Sequence, residues 1–235
     1  MFRDPLRLAA RAAVLVLAFI VIAVPAASAQ DKSKDSQAGV PGRFDFYVLA
    51  LSWSPSFCEK QRPDRRARDP QCSGRPFSFV VHGLWPQFER GYPSYCQVPA
   101  PRVDRALADK MLDLMPSRGL IYHEWNRHGT CTGLSPQAYF ATVRKARAKV
   151  TIPPAYRDLG RPIMVAPAAV AEAFIKANPG LTRDDMAVSC DRRRLTEVRL
   201  CLSREFSFRA CPQIVQRTCR RDNVSMPAVR GPRGS

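Results

Sequence analysis

Every histidine of this chain lies in one of two short segments, FVVHGLWPQ at 79–87 with His82 and HEWNRHGTC at 123–131 with His123 and His128. A lone histidine is more often packed or solvated than reactive, but three of them set among glycine, tryptophan and charge point to chemistry. Zinc is the first chemistry to weigh. Metalloproteases use His-Glu-x-x-His because residues four apart on a helix differ by only about 40° in azimuth, so both imidazoles reach one ion. Here His123 and His128 stand five apart, about 140° around an ideal helix. They do not readily clasp one metal, although His82 can complete a distorted site. A zinc-dependent hydrolase is therefore a distant alternative, and the expectation is no metal and no cofactor.

The pairs that do share a helix face are Glu124 with His128 and His123 with Arg127, each four apart. The first couples a carboxylate to an imidazole for proton transfer. The second couples an imidazole to a guanidinium, which is permanently charged and suits a phosphate oxygen. Imidazoles, with an unperturbed pKa near ~6.5, give or take a proton near neutrality. Two of them suffice to cleave RNA. One takes the proton of a ribose 2′-hydroxyl, that oxygen attacks the adjacent phosphorus, and the other protonates the departing 5′-oxygen. Nearby cations stabilise the charge that develops. DNA lacks the internal nucleophile and is spared.

These groups need elements to hold them. FDFYVLALSW (44–53) is apolar on both pleat faces, the pattern of a central strand covered on each side. RPFSFVVHGLWPQ (75–87) alternates Phe77, Phe79 and Val81 inward and breaks at Gly83 and Pro86, which predicts His82 at the end of a strand, beside a cleft. Helices are predicted at 101–116, between Pro101 and the stop at Pro116, at 135–150 with Ser135 as N-cap and Pro136 at its first position, and at 167–178. Gly129 marks the end of a helix carrying the second motif. MAVSC (186–190) and LTEVRLCL (195–202) read as paired strands. The sum is a single α+β domain with a central, mostly antiparallel sheet flanked by helices.

The chain opens with arginines at 3, 7 and 11, an apolar run at 12–24 and small residues at Ala27 and Ala29, the layout of a secretory signal over 1–29. The apolar run is shorter than the ~20 residues a spanning helix needs. Secretion or periplasmic export follows, with no membrane attachment after cleavage. Residues 30–43 read as a flexible leader, 44–222 as the catalytic domain and 223–235 as a loose tail. Eight cysteines, all beyond the signal and with no Cys-x-x-Cys pair, predict structural disulfides and speak against a thioredoxin-like centre or a zinc ribbon. The net charge is +17, and without the signal 34 basic residues face 19 acidic ones, or +15. Such an excess suits a polyanionic partner. On charge alone, a catalytically idle basic RNA-binding protein remains the alternative.

The two histidine motifs, with FDFYVLALSWSPSFC (44–58) and the closing pattern of cysteines and strand from 190 to 212, resemble the ribonuclease T2 family across most of 44–219. The resemblance implies a disulfide-stapled α+β endoribonuclease, acting as a monomer without metal on single-stranded RNA through a 2′,3′-cyclic phosphate, with low base specificity. By motif, His82 and His128 become the acid–base pair, assigned as acid and base respectively, although the sequence does not fix that direction. His123 would hold the phosphate, with Glu124 and Arg127 tuning charge at phosphorus. Trp85 resembles the family's base-stacking residue, and Gln87, Phe88 and Tyr92 complete the expected substrate contacts. The sequence departs from the family pattern at Arg127, commonly lysine, and at Gln87, where some members carry an acid that helps read the base. The resemblance also implies the pairs Cys58–Cys72, Cys96–Cys131, Cys190–Cys219 and Cys201–Cys211. Trp125 is expected in the core.

Overall fold

The computed structural model describes residues 36–229, with 36–38 by backbone alone; the expected signal and its cut after Ala29 lie outside the described residues. The strands are β1 Ser36–Ala38, β2 Phe46–Trp53, β3 Phe79–Gln87, β4 Tyr92–Ser94, β5 Ile163–Val165, β6 Met186–Cys190, β7 Leu195–Leu202 and β8 Val224–Met226. The α-helices are α1 Ser54–Lys60, α2 Pro63–Arg68, α3 Pro70–Ser73, α4 Arg105–Lys110, α5 Arg118–Arg127, α6 Pro136–Ala148, α7 Pro167–Ala177 and α8 Pro212–Val215.

Four strands form the central sheet in the order β3-β2-β7-β6, every pairing antiparallel. β2 is buried at every position but Ser52, as its unbroken apolar run requires. Its two faces serve different layers. Tyr47, Leu49, Leu51 and Trp53 enter the main core with Phe79, Trp125, Tyr139, Phe140 and Phe174. Phe46 and Val48 enter a smaller cluster with Ala187, Cys201, Cys211 and Ile214, against which Trp85 packs. The functional cleft opens beside that smaller cluster.

β3 departs from the reading of 75–87 in a way that matters. The strand does not break at Gly83 or Pro86 but runs on to Gln87, and His82 lies in its middle. Ala50 pairs with Gly83 and Leu51 with Val81, so the register skips His82. His82 is the extra residue of a β-bulge, a device that re-aims one side chain while the ladder continues on either side.

The helices carry their predicted signals with one exception. Ser135 accepts a hydrogen bond from the Ala138 N–H at 3.3 Å and Pro136 opens α6; α7 buries Val170, Ala171 and Phe174. The helix expected over 101–116 is only α4, Arg105–Lys110. Asp104 starts it by accepting from the Leu107 N–H at 2.7 Å. Beyond it, the Leu114 carbonyl accepts from Val81 N–H of β3 at 2.9 Å, so the chain there turns to serve the sheet.

Two of the expected loose segments are ordered where described. In the expected leader 30–43, β1 pairs in parallel with β4, and Gly42 N–H donates to the Cys131 carbonyl at 3.0 Å. In the expected tail 223–235, β8 pairs with β5. Val224 and Met226 are fully buried, and the Pro227 carbonyl accepts from Trp53 Nε1 at 3.1 Å. Polar composition at the chain end concealed two apolar side chains with a place in the core. The four disulfides join Cys58–Cys72, Cys96–Cys131, Cys190–Cys219 and Cys201–Cys211. Among the described residues no helix is long and apolar enough to cross a membrane.

Candidate active site

Five elements, β3, β4, α5, β7 and α8, meet at a cleft of about 270 Å³ lined by His82, Trp85, Gln87, Tyr92, His123, Glu124, Arg127, His128 and, from β7 and the α8 region, Arg199, Ile214 and Arg217. β3 delivers His82 through its bulge and Trp85 three residues on. α5, capped by Ser117, delivers His123, Glu124 and Arg127 from its last turn. His128 is the C-cap residue, outside the helix proper, and a short 3₁₀ turn from Gly129 to Thr132 follows. Helix and turn leave no room for a side chain at 129, where a Cβ would overlap the Trp125 ring. Cys131 in that turn is bonded to Cys96, which ties the segment after β4 to the end of the second motif.

His82 has two carboxylates for neighbours. Its Nδ1 meets Glu197 Oε2 at 2.6 Å; a carboxylate only accepts, so Nδ1 carries the proton. Its Nε2 is 3.7 Å from Glu124 Oε1, beyond hydrogen-bond range, and is left to the cleft. Glu124 in turn accepts from Trp85 Nε1 at 2.7 Å. Gly83 permits this approach, because a Cβ there would overlap both Glu124 Oε2 and Trp85 Nε1. The same-face pairing of Glu124 with His128 thus gives way to a pairing across elements, in which the Glu124 carboxylate serves His82 and Trp85.

His128 is buried and its Nδ1 meets no hydrogen-bond partner. Its ring lies 5.5 Å from that of Trp85 and 6.3 Å from that of Tyr92. The Trp85 ring therefore contacts both imidazoles, with His82 at 5.2 Å. Arg127 donates from Nη2 to the Tyr92 hydroxyl at 3.3 Å, while its buried Nε is unpartnered. His123 is exposed at the cleft edge.

The electrostatics of the two histidines are opposite. Burial drives the His128 pKa down to about 3, and the neighbouring Arg127, His123 and His82 add to the effect. Burial also opposes the charged form of His82, but the hydrogen bond and charge of Glu197, with the charge of Glu124, outweigh it and raise the pKa above the ordinary histidine value. Glu124 is itself pushed up to about 7 by burial, against the pull of His82 and the Trp85 hydrogen bond. His123, exposed as a whole, is lowered by the partial desolvation of its ring and by the charges of Arg127 and His82.

The structure brings together every predicted site residue except one. Phe88 packs, partly buried, against the main core and does not line the cleft, because β3 has ended at Gln87 and the chain turns there. Trp125 is a core residue with 1% exposure, as expected. Sequence reading missed Glu197 and Arg199. Their signal was present in LTEVRLCL, where two opposite charges two residues apart interrupt an apolar central strand. Among the described residues no cluster of His, Cys, Asp and Glu has the arrangement of a metal site.

A conserved-family model, described as the ribonuclease T2 family, matches residues 44–211. With the sheet, the stapled loops and the paired imidazoles in one cleft, the chain belongs to the ribonuclease T2 family, and so to a class of endoribonucleases. A ribonuclease of Aeromonas hydrophila is 39% identical over 176 residues, covering 71% of this chain and 75% of that protein. The fold is also similar to that of an RNase-related protein from Calystegia sepium, at a TM-score of 0.62 and 20% identity, covering 80% of this chain and 99% of the other. RNase NT, solved in complex with 5′-AMP, superposes at a TM-score of 0.56 and 21% identity, covering 81% of this chain and 98% of that one.

Proposed function

We propose that this is a secreted, metal-independent endoribonuclease that cleaves single-stranded RNA by transphosphorylation, with His128 as the base and His82 as the acid. The observation that carries the reading is the opposite electrostatic setting of two imidazoles that contact one tryptophan in one cleft. His128, held neutral near physiological pH, accepts the proton of the ribose 2′-hydroxyl. The 2′-oxygen forms its bond to phosphorus as the bond from phosphorus to the 5′-oxygen breaks. His82, kept charged by its carboxylates, gives its Nε2 proton to that leaving oxygen. The products are a 2′,3′-cyclic phosphate and a free 5′-hydroxyl. Addition of water to the cyclic ester reverses the two histidine roles.

His123 and Arg127 supply positive charge and hydrogen-bond donors for the non-bridging oxygens. Arg127, a planar fork, offers two directions of donation. Glu124, half-protonated near neutrality, can donate to a phosphorane oxygen in its neutral form. Trp85 and Tyr92 offer aromatic surface to a base, and Gln87 offers a neutral amide beside it. Both proton carriers are protein groups, so the step as drawn uses no metal. The N-terminal signal pattern and the disulfides support export, the excess of positive charge supports a polyanionic substrate, and relatives named ribonucleases support the reaction.

The test is digestion of a defined single-stranded RNA with EDTA present, mapping the cuts and the termini. Cyclic-phosphate ends, together with losses of several orders of magnitude in kcat for His82→Ala and His128→Ala while binding persists, are the expected outcome. Cleavage abolished by EDTA and restored by zinc overturns it, and full activity in both variants points to an idle binder instead.

A further inference from the structure

We infer that Glu197 is a positioning residue of this enzyme, the carboxylate partner that fixes the proton of His82 on Nδ1 and turns its Nε2 to the substrate, and that Arg199 holds Glu197 in that role. The inference rests on the acid role given to His82 above. Glu197 is 5% exposed in the middle of β7, between β2 and β6, a place where an unpaired carboxylate is costly. Every contact it makes is specific. Oε2 receives His82 Nδ1 at 2.6 Å and, at 3.3 Å, the hydroxyl of Ser52 directly opposite on β2. Oε1 receives Arg199 Nε at 2.6 Å.

The backbone explains why these groups meet. Glu197 and Arg199 are two apart on β7 and share the sheet face that carries the smaller apolar cluster. The register places Ser52 opposite Glu197 and Ala50 opposite Arg199, and Ala50 is paired on its other side with Gly83. Ala50 is small and Gly83 has no side chain, so Glu124 and Trp85 come close over Gly83, while the bulge re-aims His82 toward Glu197. The Arg199 guanidinium then lies 5.2 Å from the centre of the Trp85 ring, so one arginine braces both the carboxylate and the tryptophan that contacts the two imidazoles. A purely structural ion pair of Glu197 with Arg199 needs neither the bulge nor the imidazole.

The arrangement is that of a carboxylate–histidine pair, which selects the tautomer and steadies the imidazolium. The charged and titratable groups that line the cleft with His82 are Glu197 and Arg199 from β7 (Glu197 from beneath it), Tyr92 from β4, Arg217 just after α8, and His123, Glu124, Arg127 and His128 from α5 and its cap. Of these, Glu197 alone accepts a hydrogen bond from its ring. Glu124 remains in place when Glu197 is changed, which sets the size of the residual effect.

The experiment compares wild type with Glu197→Gln and Glu197→Asp for kcat, KM and pH profile on a defined single-stranded RNA, with nitrogen-15 NMR of His82. Glu197→Gln is expected to lower kcat by about 10²–10⁴-fold with KM nearly unchanged. Its alkaline limb moves to lower pH, because His82 then loses its proton earlier. Glu197→Asp restores part of the limb. In a His82→Ala background the same change adds less than about threefold, because the two act as a unit. Wild-type activity with an unshifted limb and unchanged kcat in Glu197→Gln overturns the inference, as do fully additive losses. If Glu197→Gln does not fold, the wild-type spectrum decides. In the neutral ring, observed above the His82 pKa, a proton on Nδ1 together with a pKa above the ordinary value supports the inference, and a neutral ring protonated on Nε2 instead overturns it. An inactive wild type instead removes the proposed function without touching the His82 tautomer.

Discussion

At the residue scale the cleft is organised around groups that folding holds away from their ordinary ionisation. Glu124 shows this most directly, being 1% exposed with a pKa near 7 against an ordinary 4.5. Its folded form binds the proton more tightly than the unfolded chain does. Its contribution to stability is therefore complete below about 4.5 and is lost as pH rises towards 7. Glu124→Gln keeps an acceptor for Trp85 and removes the charge, so its melting temperature relative to wild type should rise between pH 4 and pH 8. The gain corresponds to at most about 3 kcal/mol, while kcat on RNA falls. Thermal melts of both proteins across that range check it, and a difference that stays flat with pH would refute the assignment. The motif residues were legible because their types and spacing are local properties. Glu197 was not, because a charge in a strand acquires meaning only from what lies across the sheet, 115 residues away in sequence.

At the element scale the site depends on how strands and loops are pinned. The β3 bulge directs His82, and the Cys96–Cys131 bond closes a separation of 35 residues, worth roughly 3 to 4 kcal/mol in the chain-entropy model, while holding the turn that carries His128. The C-terminal strand is equally structural. Ending the chain at Asn223 removes β8, with the buried Val224 and Met226 and the acceptor for Trp53 Nε1. Each lost apolar side chain is worth about 1.5–3 kcal/mol of burial, so the shortened protein should lose several kcal/mol in denaturant unfolding at unchanged cleft chemistry. A midpoint equal to that of the full chain would restore the loose-tail reading. The helix caps at Ser135 and the α7 apolar stripe were visible beforehand because capping and periodicity are short-range. The early end of α4 was not, because the segment after it is held by a long-range contact, the Leu114 carbonyl accepting from Val81 N–H of β3.

At the scale of the whole molecule, the charge pattern and the paired pKa shifts set the working range. His128 remains neutral down to about pH 3, so the proposed base stays competent in acid where an ordinary histidine would be protonated. His82 and Glu124 titrate as a coupled cluster, and the alkaline limb reports that cluster rather than one residue. The kcat/KM profile on single-stranded RNA should thus hold its value from neutrality down to about pH 5, with its acid limb well below ~6.5. A limb centred near the ordinary histidine value would show that His128 is not the base, or is not desolvated. The same His128 shift makes the fold less stable as pH falls from 6.5 towards 3, because the unfolded chain gains a proton that the folded one refuses.

The sequence by itself determined the reactive residue types, the two motifs, the even set of cysteines, the caps and the α+β class, since composition, periodicity and spacing act within a few residues. Only the tertiary structure decided that His82 leaves β3 through a bulge, that Glu197 and Arg199 stand behind it, that Phe88 turns away to the core, and that the chain end completes the core. It also separated the two imidazoles by environment, one beside carboxylates and one in a buried setting without a partner. That difference comes from desolvation and from charges brought together across β2, β3, β7 and α5, and no local pattern in the chain encodes it.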